Sequence, residues 1–495
     1  MNYDAMKQIL DEEVIFFTDK LNPNDVYVEF ELPNEAVCFE PIKSRMFKAF
    51  LSVRYRELAE EYERPDCKSM LEVKEDDAIY HQENPVDIHK RVAGNMRGGI
   101  AYFLADPEWR TVLVTAKGWK IKRSKKLKFL KYATDEAQVE PVGGGDYLKL
   151  ILPKLNMSPD DALLYAIFLV QGFSRSSSHF CAVISSRKGT GKSTLTKQSV
   201  SLIDPSTTSC ALQPSSEDNL KTLLANTYVA SFDNTGALST NASNILCAAT
   251  TGSKEAKRKL YSNCDQVVLN LHNLVIINGI DIVPYKSDLA ERSLYFELLP
   301  IPAKQRKTDA EIWDAFYRDK PKIVGAIFDT LVKAMQILPA LMVDEKARMA
   351  DAHMEMTAIA LALGVDQKEF QRILDANSKK LQDAYAANNP FVDFVITYMQ
   401  SHLNVNDAAA RVYRSMEECI VGDRSFFPKS PSALSRKLNE ERDALLQAGY
   451  KFESDKTPQN NRLKITRVPQ SQQTKDQKEA AMRRSKMLMD ASTDD

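Results

Sequence analysis

The sequence predicts an α/β fold in which a mostly parallel β-sheet is covered by helices. Short apolar runs alternate with helical patterns between residues 176 and 300, and such alternation is typical of a parallel sheet. A strand pattern, a glycine-rich loop and a helix pattern also follow one another directly within this region. The five candidate strands are Phe180–Ile184, Tyr228–Phe232, Val267–Leu271, Leu274–Ile277 and Ser293–Leu298.

The regions around this core are predicted from changes of pattern along the chain. A strand pattern at Val26–Leu32 precedes a helical pattern from Lys43 to Glu63, and residues 305 to about 385 are helical with expected interruptions at Pro321 and Pro339. We expect six segments: an N-terminal α+β region of unknown role at 1–105, a basic β segment with a helical collar at 106–175, the sheet core at 176–300, a helical lid at 301–388, a winged-helix-like domain at 389–468 and a polar tail at 469–495.

Composition narrows the class of protein. The chain has 66 basic and 67 acidic residues, so contact with nucleic acid must come from local patches. Its seven cysteines are scattered without a Cys-x-x-Cys pair, which argues against a disulfide scaffold or zinc module and for a reducing compartment. The apolar run Leu163–Val170 is too short to span a bilayer, and the N-terminus shows no secretory signal. We expect a cytoplasmic protein without a membrane partner.

The loop after the first core strand is typical of a site that holds phosphate groups. Backbone N–H groups and the positive end of the following helix would face the phosphate oxygens. Lys192 would reach the β- and γ-phosphates and Ser193 would bind Mg²⁺, which predicts ATP and Mg²⁺ as cofactors. The usual G-x-x-x-x-G-K-S spacing begins with glycine, whereas this chain has Ser186 there. The predicted nucleotide-binding residues are Ser186, Gly189, Thr190, Gly191, Lys192, Ser193 and Thr194.

Two further strands end in polar residues that suit the same site. Asp233 follows an apolar strand and would hold Mg²⁺, although an aspartate can also cap a turn there. Many hydrolases place a glutamate general base next, but this chain has Asn234, which can orient a water molecule and cannot take its proton. Asn278 ends another strand and would lie between the two key strands and sense the γ-phosphate, unless it only forms an Asn-Gly turn.

An arginine and a basic segment extend this set. Arg292, in Asp288-Leu-Ala-Glu-Arg, would reach into the site of a neighbouring subunit or form a surface pair with its glutamate. The catalytic candidates are Lys192, Asp233, Asn234, Asn278 and Arg292. Residues 250–261 form a basic segment that suits a hairpin gripping a phosphate backbone or a solvated turn. Its DNA-binding candidates are Lys254, Lys257, Arg258 and Lys259.

The order of these motifs resembles superfamily 3 helicases and, more narrowly, the AAA+ ATPases of phage and plasmid primase–helicase proteins. The similarity extends over residues 90–470 and includes Asp106–Arg110 and Phe427–Leu434. It implies a P-loop AAA+ core, a hexameric ring around DNA, and ATP sites at subunit interfaces. By position, it implies that Lys192, Ser193, Asp233 and Asn278 serve the cis site, that Lys254, Arg258 and Lys259 belong to a DNA-facing hairpin, and that Arg292 is the trans finger. Ser186 and Asn234 depart from the family pattern.

Two flanking segments have features of nucleic-acid contacts. Residues 117–131 are strongly basic and include Trp119 and Phe129, so they could track a polynucleotide while the aromatics pack or stack, or form a solvated face. The region 389–468 shows a helix after Ser430 and two strand patterns around a polar tip, which predicts a winged helix. Its phosphate-contacting candidates are Arg436, Lys437 and Lys456, although winged helices also dock proteins.

Three functions are compatible with these features. The first is a DNA helicase or helicase-like motor in the replication of a phage, plasmid or other mobile element, with single-stranded or forked DNA and a primase or other replication protein as partners. The second is an ATP-binding loader or regulatory switch, including a defence-system ATPase, which Asn234 favours. The third, a small-molecule kinase, lacks an evident acceptor site. Of these, the DNA motor is the predicted function and the switch is its alternative.

Overall fold

The computed structural model describes most of the chain. The described residues are 3–59, 67–124, 126–176, 178–187, 189–212, 216–236, 238–258, 266–280, 287–343, 347–387, 389–402, 404–422, 424, 426–457 and 460–468. The predicted polar tail at 469–495 lies outside them. The chain forms two compact units, of which the first comprises residues 1–282 and 292–375, and the second comprises 283–291 and 376–495.

The first unit begins with a small antiparallel sheet and three helices. Its strands pair in the order β1–β2–β3, and alternate residues of the second strand are buried, because one face of an antiparallel sheet packs on helices. The predicted helical pattern from Lys43 forms the second helix. The elements are α1 Tyr3–Glu12, β1 Ile15–Thr18, β2 Val26–Glu31, β3 Val37–Pro41, α2 Arg45–Ala59 and α3 Lys68–His81.

A four-stranded antiparallel sheet follows, in the order β5–β6–β7–β8, beside a short parallel pair of β4 with β9. The predicted boundary between residues 105 and 106 falls between β6 and β7, whose ladder hydrogen bonds cross it. Both sides of this boundary therefore belong to one sheet. The strands are β4 Ile88–His89, β5 Val92–Asn95, β6 Gly99–Phe103, β7 Arg110–Thr115, β8 Gly118–Arg123 and β9 Lys128–Phe129.

The predicted parallel sheet is present, with five strands in the order β11–β12–β15–β10–β16. Its three central strands are apolar and almost wholly buried, as expected for a sheet covered on both faces. The elements are α4 Tyr147–Ile151, α5 Pro159–Gln171, β10 Cys181–Ser185, α6 Lys192–Ile203, β11 Ala211–Leu212, α7 Glu217–Asn226, β12 Val229–Asp233, α8 Thr240–Thr251, β13 Ser253–Arg258, β14 Gln266–Leu271, β15 Leu274–Gly279, α9 Ser287–Ala290 and β16 Ser293–Glu297.

One predicted core strand does not join the parallel sheet. The run Val267–Leu271 forms part of β14, which pairs with β13 as an antiparallel hairpin in a sheet separate from the parallel one. A β-strand side-chain pattern does not specify which neighbour the strand pairs with, so the prediction is right about the strand and wrong about its sheet.

Three long helices complete the first unit: α10 Asp309–Ile337, α11 Ala350–Ala362 and α12 Gln367–Ala387, the last of which continues into the second unit. The predicted interruption at Pro321 is wrong, because α10 runs through it. Buried residues lie on both sides of the proline, and tertiary packing of this kind outweighs the cost of one lost helical hydrogen bond. The predicted break at Pro339 is present as a short 3₁₀ turn, Leu338–Ala340.

The run Gly143–Gly145 packs tightly against α10. A Cβ atom on Gly325 of that helix would lie 2.0 Å from the carbonyl oxygen of Val142, and the Gly144 N–H donates to Asp329 Oδ2 at 2.7 Å.

Within the described residues, Asp309–Ala340 is the one helical stretch long and apolar enough to cross a membrane, and most of its apolar window is buried in the fold.

Besides α9 and the end of α12, the second unit is built from four further helices and a three-stranded antiparallel sheet in the order β17–β19–β18. The two predicted wing strands form β18 and β19, and β17 adds a third strand that pairs with β19. The elements are α13 Pro390–Ser401, β17 Asn404–Ala408, α14 Ala409–Glu418, α15 Pro431–Glu440, α16 Arg442–Gln447, β18 Tyr450–Thr457 and β19 Asn460–Arg467.

Candidate functional site

The candidate site lies at the carboxyl ends of β10, β12 and β15. The phosphate-loop candidate connects β10 to α6, and Gly189 and Gly191 adopt φ values of 77° and 88°. This left-handed conformation strains residues with a Cβ atom, which explains glycine at both positions. Ser186 does not have a positive φ, so its conformation does not require the glycine of the usual spacing. The buried Thr190 donates its hydroxyl to the carbonyl of Arg187 at 3.1 Å.

Lys192 lies at the first position of α6 and folds back over this loop. Its Nζ donates to the carbonyl oxygens of Ser186 at 2.7 Å and Arg187 at 3.0 Å. The Ser186 hydroxyl is 3.3 Å from the same nitrogen and also contacts the hydroxyl of Thr190. The serine therefore places a hydroxyl within reach of the lysine where a glycine would place none. Thr194 lies in the same helical turn and is half-buried.

Ser193 and Asp233 meet although forty positions separate them in the chain. Ser193 Oγ donates to Asp233 Oδ1 at 2.9 Å, since the first turn of α6 and the end of β12 lie at the same sheet edge. Both residues are partly exposed. Burial, followed by the negative charge of Asp233, raises the pKa of the neighbouring Cys210 to about 12, so this thiol stays neutral near physiological pH.

Asn278 lies on β15, the strand between β10 and β12, and its side chain is fully buried. Its Nδ2 donates to Thr196 Oγ1 at 2.8 Å, and its Oδ1 accepts the backbone N–H of Asn234 at 3.1 Å. Asn234 is exposed and has a φ of 49°, a conformation that asparagine tolerates better than most residues. Asn278 thus joins α6 to the residue after Asp233. The sequence did not single out Thr196, although it lies one helical turn after Lys192.

The basic hairpin has two different faces. Lys257 Nζ lies 3.1 Å from Asp218 Oδ1, and Glu255 pairs with Lys221 at 2.6 Å, so this face of β13 is bound to α7. Lys254 is exposed and, because side chains alternate along a strand, points to the opposite side. Arg258 ends β13 and pairs through its backbone with Gln266, but its side chain and all of Lys259 lie outside the described residues.

An N-terminal residue holds the other strand of the hairpin. The amide of Asn22 donates to the carbonyl of Val268 at 3.0 Å and accepts the N–H of the same residue at 2.8 Å. The side chain of Asn22 therefore satisfies both the backbone N–H and the backbone carbonyl of Val268 on β14. No local sequence pattern could have revealed this contact, which joins positions 246 apart.

Arg292 lies at the amino ends of the strands of the parallel sheet, opposite the carboxyl ends where the candidate site is located. Its carbonyl accepts the N–H of Cys181, the first residue of β10, at 2.8 Å, whereas the phosphate-loop candidate follows Ser185 at the other end. Four residue steps along a strand correspond to about 13 Å. The structure therefore does not bring Arg292 together with Lys192, Ser193 and Asp233 within one chain.

The C-terminal candidates differ from each other in their surroundings. Arg436 is exposed on α15. Lys437 Nζ lies 2.8 Å from Glu441 Oε1, and this buried glutamate also accepts the hydroxyl of Tyr385 at 2.8 Å. The ammonium of Lys437 is thus engaged inside its own unit. The Lys456 side chain lies outside the described residues.

Residues 149–379, a little less than half of the chain, match the model of a family described as actinomycete integrative conjugative element replication protein. Several solved structures are distantly similar. The apo C-terminal region of NrS-1 is 13% identical, with 94% of this chain and 98% of that chain covered and a TM-score of 0.42. The SCCmec type IV Cch protein, described as an active helicase, is 12% identical, with 92% and 93% covered and a TM-score of 0.47.

The JCV helicase, solved with a bound small molecule, is 12% identical, with 48% of this chain and 66% of that chain covered and a TM-score of 0.25. No protein with curated annotation matches the chain.

Proposed function

We propose that this protein is an ATP-driven DNA motor of the helicase type that acts in the replication of a mobile genetic element. The observation that carries the proposal is the 2.9 Å contact between Ser193 and Asp233 directly beside the loop that Lys192 crosses. A glycine loop, a helix N-terminus, a hydroxyl and a carboxylate at one sheet edge suit a nucleoside triphosphate with a divalent cation. The family match to a replication protein supports the replication role.

The residues at this edge fit Mg²⁺. The ion keeps several waters and needs only one or two protein oxygens besides the phosphates, and Ser193 and Asp233 supply a hydroxyl and a carboxylate. Within the described residues, no cluster of three or more His, Cys, Asp or Glu side chains offers another metal site. When bound, Mg²⁺ would neutralise phosphate charge. Lys192 would exchange its two carbonyl partners for phosphate oxygens, and Asn234 would orient the attacking water.

We propose that the active form is a ring, with a hexamer as the expected size. Arg292 would have to span the whole length of β10 to reach a triphosphate bound by its own chain. The same residue can serve as a finger for the site of the next subunit, where it would stabilise charge on the transferring phosphoryl group. A head-to-tail interface between identical chains closes into such a ring.

DNA is the proposed partner of the β13–β14 hairpin. Lys254 is the described basic residue of the hairpin that faces away from α7, and it would contact the phosphate backbone of single-stranded or forked DNA. Arg258, Lys259 and Arg436 are the further candidates. Lys257 contributes to the hairpin through its ion pair with Asp218, and a primase or another replication protein is a candidate protein partner.

The first test is ATP hydrolysis measured with and without single-stranded DNA. The wild-type protein should hydrolyse ATP faster when DNA is present. Lys192→Ala should reduce turnover at least about 100-fold, since it removes the charge that faces the transferring phosphate. Lys197→Ala, an exposed lysine on the same helix, is the matched control and should retain activity. Turnover that is identical with and without DNA would contradict the motor.

The second test mixes two inactive variants, Lys192→Ala and Arg292→Ala. In a ring, an interface between the Arg292→Ala chain and the Lys192→Ala chain contains one intact lysine and one intact arginine. Each interface of a heterologous ring takes its lysine from one chain and its arginine from the next. When the two variants are mixed in equal amounts, each of these residues is intact in half of the chains, so up to about one quarter of the interfaces should be active. If mixing restores no ATP hydrolysis and Arg292→Ala alone is as active as the wild type, a site shared between subunits is ruled out.

A second candidate function is a slow nucleotide switch that recruits a partner to DNA, favoured by the absence of a carboxylate at Asn234. Asn234→Asp distinguishes the two, since aspartate also tolerates the left-handed backbone, whereas glutamate would be strained there. A large gain in turnover would indicate a natural switch. Unchanged turnover would indicate that hydrolysis does not depend on a base at this position.

A further inference from the structure

The strand β8 and the turns beside it carry a row of lysines that the proposed ATP site and hairpin do not use. Residues 117–131 contain eight basic residues and no acidic one, in a chain with a net charge of −1. Four of these lysines are exposed, and none forms an ion pair within the part of the chain that the structure describes. We call them the lysine row: Lys117, Lys120, Lys122 and Lys126.

Two of the other described basic groups of the segment, Arg123 and Lys128, have structural partners. Lys128 is buried and pairs with Glu29. Arg123 donates to the carbonyl oxygens of Glu35 at 2.7 Å and Asn34 at 3.2 Å. The positive charge of the lysine row is therefore not a by-product of local ion pairing, because the groups needed for packing are distinct from the exposed ones.

The sheet orients the row toward solvent. β8 is an edge strand, since the order of its sheet is β5–β6–β7–β8. Alternation places Lys120 and Lys122 on one side, about 7 Å apart, and Trp119 on the other. The indole of Trp119 donates to Asp329 Oδ1 at 2.8 Å, and the buried ring of Phe129 stacks on Phe103 with centroids 5.2 Å apart. Phe129 is thus held inside the fold, and the half-buried Trp119 lies on the side of β8 away from Lys120 and Lys122.

We propose that the lysine row binds the phosphate backbone of a polynucleotide without reading its bases. This inference rests on the proposed function, because a DNA motor supplies the polynucleotide. Compact, mobile ammonium groups suit phosphates, whereas a protein partner would need an apolar or aromatic anchor. Within the described residues from 117 to 131, no large apolar side chain is exposed. Edge lysines also oppose the addition of a foreign strand.

The test measures the affinity of the full chain for fluorescent single-stranded and duplex oligonucleotides at several salt concentrations. The double variant Lys120→Glu/Lys122→Glu should bind both about tenfold more weakly at moderate salt, and the slope of log affinity against log salt should fall by about two for duplex. The charge-matched control Lys7→Glu/Lys48→Glu, which alters exposed lysines on α1 and α2, should bind like the wild type.

Other outcomes separate this proposal from the motor itself. Unchanged affinity and slope in the row variant, with Lys254→Ala losing DNA-stimulated hydrolysis, would overturn the lysine row and leave the motor intact. If the wild-type chain hydrolyses no ATP but the row variant still binds DNA more weakly than the wild type, the result would support the lysine row and contradict the motor. Loss of binding to polyglutamate alone, with normal DNA affinity, would assign the surface to an acidic protein and overturn the proposal.

Discussion

In the parallel sheet, the carboxyl ends of the strands form one edge and their amino ends form the other. These carboxyl and amino edges use polar side chains in different ways. At the carboxyl edge, Ser193 and Asp233 touch but remain partly exposed. At the amino edge, Arg91 and Asp204 are only 1% and 5% exposed and lie 2.8 Å apart. The first pair can exchange its contact for a ligand, whereas the second cannot lose a partner without leaving a buried charge. One sheet thus separates the groups that can bind from those that hold the fold.

The amino-edge pair is embedded in a larger set of contacts. Asp204 Oδ2 accepts the backbone N–H groups of Tyr228 and Val229, each at 3.0 Å, where β12 begins. Arg91 also donates to the carbonyls of Phe103 and Pro205. The pair therefore joins the antiparallel sheet, the end of α6 and the start of β12.

Asp204→Asn should have the largest effect on stability. The substitution keeps the shape of the side chain but leaves the buried guanidinium of Arg91 without a counter-charge, which costs about 3–5 kcal/mol. Denaturant unfolding of the full chain measures this loss. Adding Arg91→Met to the same protein should recover part of it, since the unpaired charge is removed. A double variant less stable than Asp204→Asn alone would show that the buried charge is not the cause.

Asp233→Asn makes the corresponding change at the carboxyl edge and should have the opposite profile. We expect unfolding free energy within about 1 kcal/mol of the wild type, because the residue is partly exposed. ATP hydrolysis should fall at least about 100-fold, since a carboxylate ligand of the cation is lost. Equal losses of stability in Asp233→Asn and Asp204→Asn would abolish the distinction between the two edges.

The carboxyl edge was accessible to sequence reasoning because its signals are local. An apolar run followed at once by Asp233 or Asn278 marks the end of a buried strand, and parallel strands gather such ends at one edge. The structure brings these residues together with Ser193 and Thr196. Their roles in catalysis are still predictions, as is the proposed trans role of Arg292.

Contacts made by tertiary packing were not accessible in the same way. Lys257 was selected for its charge, but its partner Asp218 lies on α7 and is brought close by tertiary packing. Lys437 pairs with Glu441 four positions later, a local spacing that the selection by charge did not take into account. Pro321 was expected to end a helix, and packing on both sides carried the helix through it. Local propensity fails where tertiary burial supplies more free energy than the local rule costs.

A pH dependence should also arise beside the amino edge. Burial raises the pKa of Glu355, on α11, to about 7, and its carboxylate accepts the Ser174 hydroxyl at 3.1 Å. Between pH 4.5 and 7 the folded chain keeps a proton that the unfolded chain releases, so stability falls as pH rises through this window. Glu355→Gln should remove about 2 kcal/mol of that fall.

Unfolding measured at pH 5 and pH 8 checks this expectation. The exposed Glu369, whose pKa is lowered by its hydrogen bond with Arg372, provides the control, because Glu369→Gln should not flatten the curve. A wild-type protein with the same stability at both pH values, or a Glu355→Gln variant with the wild-type slope, would contradict the assignment.

The smallest expected effect concerns the link between the N-terminal region and the hairpin. Asn22→Ala removes both hydrogen bonds to Val268, which should cost about 1–2 kcal/mol and leave β14 less firmly placed. If the hairpin conveys DNA binding to the ATP site, DNA stimulation of hydrolysis should fall several-fold while basal turnover is kept.

Asn24→Ala changes an exposed residue of the same loop and should leave both rates unchanged. Loss of basal turnover in Asn22→Ala would instead indicate general damage to the fold. Normal stimulation in both variants would show that the N-terminal region does not position the hairpin.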